Sequence, residues 1–165
     1  MRFLDRVYAK LFGMNNLLRK SGMKIGSNCH IYSDLRTPES YLITIGDNVT
    51  FSNGIQIITH DNSVCKVSNY TDIFGEVHIG DNCFVGAKSV IMYGVSLPNN
   101  TIVAAGSVVI KSPDKEGLII GGNPAKVIGT VDNLKAKADE YGVNLDGLTP
   151  EDKKQAIIKT KKVVK

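Results

Sequence analysis

The sequence predicts an all-β chain wound as a parallel β-helix of six-residue repeats, with a helical cap before the repeats and a helical tail after them. Three observations predict it. Aliphatic residues recur every six positions through the middle of the chain, small or compact side chains sit four positions after most of them, and apolar spacing becomes helical only outside that region.

The repeat is unbroken at Ile79, Val85, Ile91, Leu97, Val103 and Val109, and the same step links Ile45, Phe51 and Ile57, and Ile25 with Ile31. Four positions on stand Cys29, Val49, Cys83, Ser89, Val95, Thr101 and Ser107. A helix needs apolar spacing near 3.6 and a half-buried strand needs alternation, so a sustained period of six fits neither. It fits hexapeptide coils, in which three hexads make one turn of about 18 residues with three short faces. Each anchor then points inward and stacks on its counterpart about 4.8 Å away. Gly46, Asp47, Asn48, then Gly80, Asp81, Asn82, then Pro98, Asn99, Asn100 follow anchors with residues suited to the corner between faces.

Two breaks interrupt the register: Ile31 to Ile45 is 14 residues and Ile57 to Ile79 is 22, where multiples of six give 12 and 18. Extra residues must leave the coil as loops. The second break, a polar loop over residues 60–75, is where a repeat scaffold is expected to carry its site.

A stack of coils needs its end faces covered. Residues 1–22 supply a cap, with Phe3, Leu4, Val7, Tyr8, Leu11 and Phe12 at helical spacing. The coil domain spans residues 23–129, and residues 130–165 form a helical tail. In the tail a helix over 132–141 stops at Gly142, and Thr149 caps a second helix with Pro150 in its first turn. The lysine-rich end, Lys159, Lys161, Lys162 and Lys165, reads as a solvated tail.

Composition narrows the function. At 165 residues and 42% apolar content the chain suits one domain. It has no membrane-length apolar run and no secretory leader pattern, so a cytoplasmic setting is expected, in which three sequon matches are chance. Cys29, Cys65 and Cys83 are odd in number and widely spaced, as free thiols or small core residues would be. Net charge is +5 over residues 1–24, −3 over 25–129 and +2 over 130–165. An acidic middle without a basic, aromatic-bearing stripe argues against nucleic acid.

The strings ITIGDNVTFSNGIQIITHD, VHIGDNCFVGAKSVIMYGVSLPNNTIVAAGSVV and IIGGNPAKVIG resemble the hexapeptide-repeat acyltransferases, closest to the maltose- and galactoside-type sugar O-acetyltransferases. The resemblance covers about residues 23–129 and implies a left-handed coil, a homotrimer with active sites between subunits, and acetyl-CoA as donor to a hydroxyl of a saccharide or related small acceptor. The acceptor-side asparagine of those sugar enzymes has no match in CHIYSDLRTPESYL, and their long N-terminal domain is missing. These departures turn the expected acceptor toward cell-envelope or capsule polysaccharide, nucleotide sugars or an antibiotic.

Acetyl transfer needs a base for the hydroxyl proton, a donor for the thioester oxyanion and a groove for CoA. Of His30, His60 and His78, only His60 stands at the root of the extruded loop, in a THD context that resembles the family's catalytic histidine. Asp61 is a poor orienter for it, because neighbours in an extended chain point to opposite faces. Asp72 matches the position of an acid in the sugar acetyltransferases, and Glu76 is a second candidate. Gly86 and Ala87, with Ala104, Ala105 and Gly106 one coil on, offer a small-residue wall for pantetheine, and the Ala87 amide is the expected oxyanion donor. Lys111, Asn123, Pro124 and Lys126 resemble the nucleotide end of the donor site. No metal is expected.

Three other readings compete. An N-acetyltransferase on an amino sugar or xenobiotic has the same donor side. A zinc carbonic-anhydrase-like coil needs three meeting histidines, but Ala87 and Tyr93 occupy two positions where that pattern places them. A non-catalytic scaffold or membrane-edge module could use Arg2, Arg6, Lys10, Arg19 and Lys20 beside the apolar residues of the first segment, although an end cap explains the same pattern.

Overall fold

A computed structural model describes residues 3–160. Arg2 and the lysines at 161, 162 and 165 lie outside the described residues. Two helices, α1 (Phe3–Phe12) and α2 (Met14–Lys20), lead into a series of short strands, of two or three residues until the last two. These stack into three parallel sheets, one per face of the coil.

The first face is β1 (Lys24–Ile25), β3 (Ile43–Ile45), β8 (Val77–Ile79) and β11 (Ser96–Leu97). The second is β2 (His30–Ile31), β4 (Thr50–Phe51), β9 (Phe84–Val85), β12 (Ile102–Val103) and β14 (Leu118–Gly122). The third is β5 (Gln56–Ile57), β10 (Val90–Ile91) and β13 (Val108–Val109). Strand β15 (Ala125–Thr130) turns back antiparallel on β14 and ends the coil.

The anchors stack one on another: Ile45 pairs with Ile79, Phe51 with Val85, and Ile57 with Ile91 and then Val109. All are buried except Ile25, which is half-buried. Each buried aliphatic side chain contributes about 1.5–3 kcal/mol relative to exposure. The compact residues four positions on are buried as well. Where these are hydroxyls they bond the corner backbone: Ser89 and Ser107 both donate to the Ala104 carbonyl, at 3.0 and 2.6 Å, and Thr101 donates to Pro98 at 2.7 Å. Polar residues can therefore point into an apolar core without an unmet hydrogen bond.

Corners follow the residues that suggested them. Asn48, Asn82 and Asn100 take positive φ of 56°, 56° and 60°, the left-handed conformation that asparagine tolerates. Asp47 accepts from the Ser27 amide, Asp81 from Asp47 and Asn99 from Asp81, at 2.6, 2.8 and 2.8 Å, so one corner is laced from coil to coil. A Cβ on Gly80 would stand 2.7 Å from the Asn99 amide, which is why that corner takes glycine.

The tail helices are α3 (Val131–Tyr141), with a Thr130–Asn133 capping box and Gly142 at its end, and α4 (Pro150–Lys159), capped by Thr149. The cap before the coil departs from expectation. Helix α2 covers the first coil through Leu17 and Leu18, whereas α1, with the six apolar residues expected to do so, buries none of them. The two helices leave a cavity of about 540 Å³ between them, lined by Leu4, Val7, Tyr8, Leu11 and Phe12 of α1 with Leu17 and Lys20 of α2, and Leu4, Leu11 and Phe12 stay largely exposed there. Among the described residues no helix is long and apolar enough to cross a membrane.

Helix α1 is tied to the coil by Arg36, whose Nη2 is 3.1 Å from Asp5 and 2.8 Å from Asp34. The hydrogen bonds from Arg36 hold the Asp34 carboxyl below its ordinary value despite partial burial. A depressed folded-state pKa contributes stability that is full above the unfolded value of about 3.9 and is lost as pH falls through the folded value. Amide exchange of α1 should therefore accelerate below about pH 4, ahead of the coil strands. Arg36→Ala should make α1 exchange fast at neutral pH as well.

Candidate active site

Both register breaks fall at one corner, between the third face and the first. In the second coil the chain leaves β5, forms β6 (His60–Asp61), makes a loop with a short 3-10 turn (Ser63–Lys66), and returns through β7 (Ile73–Phe74). His60 pairs with Phe74 and Asp61 with Ile73, antiparallel, so the loop has a closed neck. In the first coil the extra residues form the segment that runs through Thr37 and Glu39 into the 3-10 turn Ser40–Leu42.

Stacking these two departures puts Glu39 against His60. Glu39 Oε2 is 2.9 Å from His60 Nδ1 and accepts from Thr59 Oγ1 at 2.8 Å. Thr37 Oγ1 lies 3.1 Å from Thr59 Oγ1. The single Thr59 proton goes to Glu39, so Thr37 donates in that contact. Ser40 Oγ closes the turn by donating to the Thr37 carbonyl and accepting from the Thr37 amide, at 2.8 and 3.1 Å.

The hydrogen bond from Thr59, with those from His60 and its charge, holds the Glu39 carboxyl below the usual carboxylate range against the opposing effect of burial. An ionised carboxylate only accepts, so the neutral imidazole carries its proton on Nδ1 and its lone pair on Nε2. Nε2 makes no hydrogen bond to a described residue. The ring is about one-third exposed, with Phe74 tilted beside it at 6.0 Å between centroids. It stands at the end of a cleft of about 390 Å³ that runs past Arg36, Thr37, Pro38, Gln56 and Ile58. A proton acceptor held in one tautomer at a cleft is the arrangement of a general base.

The other candidate acids go elsewhere. Asp61 accepts from the Ser63 amide at 2.9 Å and the Tyr93 hydroxyl at 3.3 Å, pointing away from His60 as its extended position requires. The bonds from Ser63 lower its pKa, and burial next to that carboxylate raises the pKa of Tyr93. Glu76 lies 3.0 Å from His78 Nε2. Asp72 is half-buried in the loop and makes no hydrogen bond or ion pair with a described residue. The carboxylate on the imidazole is therefore Glu39, whose signal was the offset between the first two coils: Lys24 pairs with Thr44 and His30 with Thr50, each 20 residues on. The same offset sets Glu39 beside Thr59.

The proposed donor-side residues form two groups. Gly86, Ala87, Ala104, Ala105 and Gly106 line the corner between the second and third faces, one corner away from His60. Gly86 also has a structural reason: a Cβ there would meet the Ala105 amide at 2.5 Å. Asn123 and Pro124 turn β14 into β15 above this wall, and Gly122 donates to Ser107 Oγ at 3.2 Å. Lys111 and Lys126, far apart in sequence, border one groove of about 310 Å³ with Ala125 and Ser112. Counting two residues on from Ile57, Ile91 and Val109 puts Thr59, Tyr93 and Lys111 in one column, so Lys111 lies two coils along from His60. The three histidines are spread over the first face, the second face and the loop root, and among the described residues no group of three or more histidine, cysteine or carboxylate side chains could hold a metal.

Comparison with known proteins agrees with the repeat architecture. The hexapeptide repeat of succinyl-transferase matches residues 76–111. The protein CapG of Staphylococcus aureus is 37% identical over 144 residues, which is 81% of this chain and 83% of that one. The putative acetyltransferase YvoF of Bacillus subtilis is 29% identical over 137 residues, 79% of this chain and 74% of its own. A galactoside acetyltransferase solved in complex with coenzyme A superposes with a TM-score of 0.61 at 20% identity, covering 86% of this chain and 80% of that one. The coil is the left-handed β-helix of these proteins, and the chain belongs to the hexapeptide-repeat acyltransferases. It is an acyltransferase.

Glu39→Gln should slow acyl transfer by at least about tenfold and change the shape of its pH profile, because the amide does not fix the imidazole tautomer as the carboxylate does. Asp72→Asn should leave both nearly unchanged.

Proposed function

We propose that this chain transfers the acetyl group of acetyl-CoA to a hydroxyl of a saccharide or related small acceptor, with His60 as general base and Glu39 as its orienter. The observation that carries this reading is the imidazole held through Nδ1 by Glu39, on a residue that lines the cleft and whose Nε2 is left without a hydrogen bond to a described residue. An acceptor hydroxyl in the cleft gives its proton to His60 Nε2 as its oxygen attacks the thioester carbonyl. When the carbon–sulfur bond breaks, the imidazolium returns that proton to the departing thiolate. Glu39 balances the charge that the ring carries between those two moments.

The donor reading is supported by the groove shared by Lys111 and Lys126, whose cations suit the phosphates of CoA, and by the coenzyme A bound in the galactoside enzyme. The relatives' acceptors favour a sugar. The cleft sets Arg36, Thr37, Gln56 and His60 beside apolar Pro38 and Ile58, a mixed lining that suits the hydroxyls and ring faces of a sugar. Acetyl-CoA as donor also fits a cytoplasmic site of action.

One chain presents its base and its small-residue wall on different corners. The homotrimer implied by the family would set the base of one chain against the wall of its neighbour, with the Ala87 amide available to the oxyanion.

Free-thiol release from acetyl-CoA against a panel of hydroxyl and amino acceptors tests the reaction. His60→Ala should lower the rate by about 10²–10⁴-fold, the usual value of general acid–base assistance, and a full rate in that variant ends the proposal. Preference for amines over hydroxyls would replace O-transfer by N-transfer. Lys111→Ala and Lys126→Ala should raise KM for acetyl-CoA more than they lower kcat. Shared sites predict that inactive His60→Ala and Ala105→Trp chains regain part of the activity when assembled together.

A further inference from the structure

Helix α1 leaves an apolar face largely exposed, at the mouth of the cavity it shares with Leu17 and Lys20 of α2. Phe3, Leu4, Leu11 and Phe12 are 78%, 77%, 69% and 57% exposed, and no residue of the helix is buried. Placed at 100° per residue, Phe3, Leu4, Val7, Tyr8, Leu11 and Phe12 fill one side of the helix. Arg6 and Lys10 border that side at the edge next to Phe3. Among the described residues neither makes an ion pair or a side-chain hydrogen bond, while Lys20 of α2 lies over the Tyr8 ring at 4.8 Å. On the opposite edge Asp5 meets Arg36. The basic excess of the chain is concentrated here, +5 over residues 1–24 against −3 over residues 25–129.

We propose that α1 docks the enzyme on an anionic lipid bilayer, lying in the interface with its apolar side chains among the acyl chains and Arg6, Lys10 and Lys20 at the headgroups. A strongly amphipathic helix with aromatic and leucine residues on one side and cations beside them is the pattern of interfacial helices, whose apolar face enters the headgroup boundary by about 5–10 Å. Charge decides between a bilayer and a second copy of this chain. Two α1 faces brought together would crowd like cations across the contact, whereas anionic headgroups neutralise them. Docking also has a direction: Arg36 lines both the cavity between α1 and α2 and the cleft that ends at His60. The acceptor cleft thus opens close to the docked helix, which suits an acceptor saccharide held at a membrane surface. The docking itself does not depend on the acyl-transfer reading.

Flotation of the full chain with vesicles of phosphatidylcholine, alone or with about one-third phosphatidylglycerol, tests it. Binding is expected with the anionic vesicles and should weaken as salt rises. Arg6→Glu with Lys10→Glu should lower the partition coefficient by at least about tenfold. Leu4→Asp with Leu11→Asp should abolish binding while leaving the thermal transition and thiol release with a soluble acceptor unchanged. The chain has no tryptophan, so Phe12→Trp supplies a single reporter whose emission moves to the blue when that face enters lipid. Failure of the wild-type chain to float with anionic vesicles, or equal flotation of the double aspartate variant, overturns the proposal. So does a fall in solution mass in that variant, because a second copy would then be what covers the face.

Discussion

Parallel strands about 4.8 Å apart set the terms for everything else in this molecule. With three short faces per turn, each layer has room inside for one anchor and one compact side chain per hexad. Both positions must be refilled in every layer with groups of matching size. Val85 above Phe51, or Ile91 above Ile57, is the result. A residue that is small and polar can still occupy an inner position, provided its hydroxyl reaches a corner carbonyl, as Ser89, Thr101 and Ser107 do.

That rigidity is what makes the departures useful. Chain that does not fit the coil has to leave it at a corner, and here both surplus segments leave at the same one. The first carries Glu39 and the second begins with His60, so two residues 21 apart meet at 2.9 Å because consecutive coils are stacked and for no local reason. The carboxylate is in turn fixed by Thr59, a buried residue that closes the third face. The proposed base is therefore positioned from beneath by the scaffold, through Glu39 and Thr59 rather than through residues of the loop.

Much of the scaffold could be read from the residues, since period six places nearly every buried anchor and the asparagines at the corners mark where the chain bends. The tail was equally direct, because Gly142 and Thr149 act through local geometry. His60 could be singled out because it stands at a break in the register. Glu39 could not, because the segment 32–42 has no periodic signal, and which residue falls beside His60 depends on how two surplus residues are accommodated. The acid suggested by resemblance, Asp72, sits in the loop and makes no hydrogen bond or ion pair with the ring. Helix α1 shows a different limit: amphipathic spacing shows that a helix has an apolar side but does not say what covers it. Leu17 and Leu18 of the following helix had already covered the first coil.

The closed neck of the second loop has a consequence for how such enzymes diversify. His60 and Asp61 are held across from Phe74 and Ile73, so whatever chain lies between them starts and finishes at fixed points. Lengthening it costs only a logarithmic increment of closure entropy, about 0.6 kcal/mol per doubling. Insertions, deletions and wholesale replacement of residues 62–72 can therefore be absorbed while His60 stays where the neck and Glu39 hold it. The length of that loop and the placement of the imidazole are free to change independently.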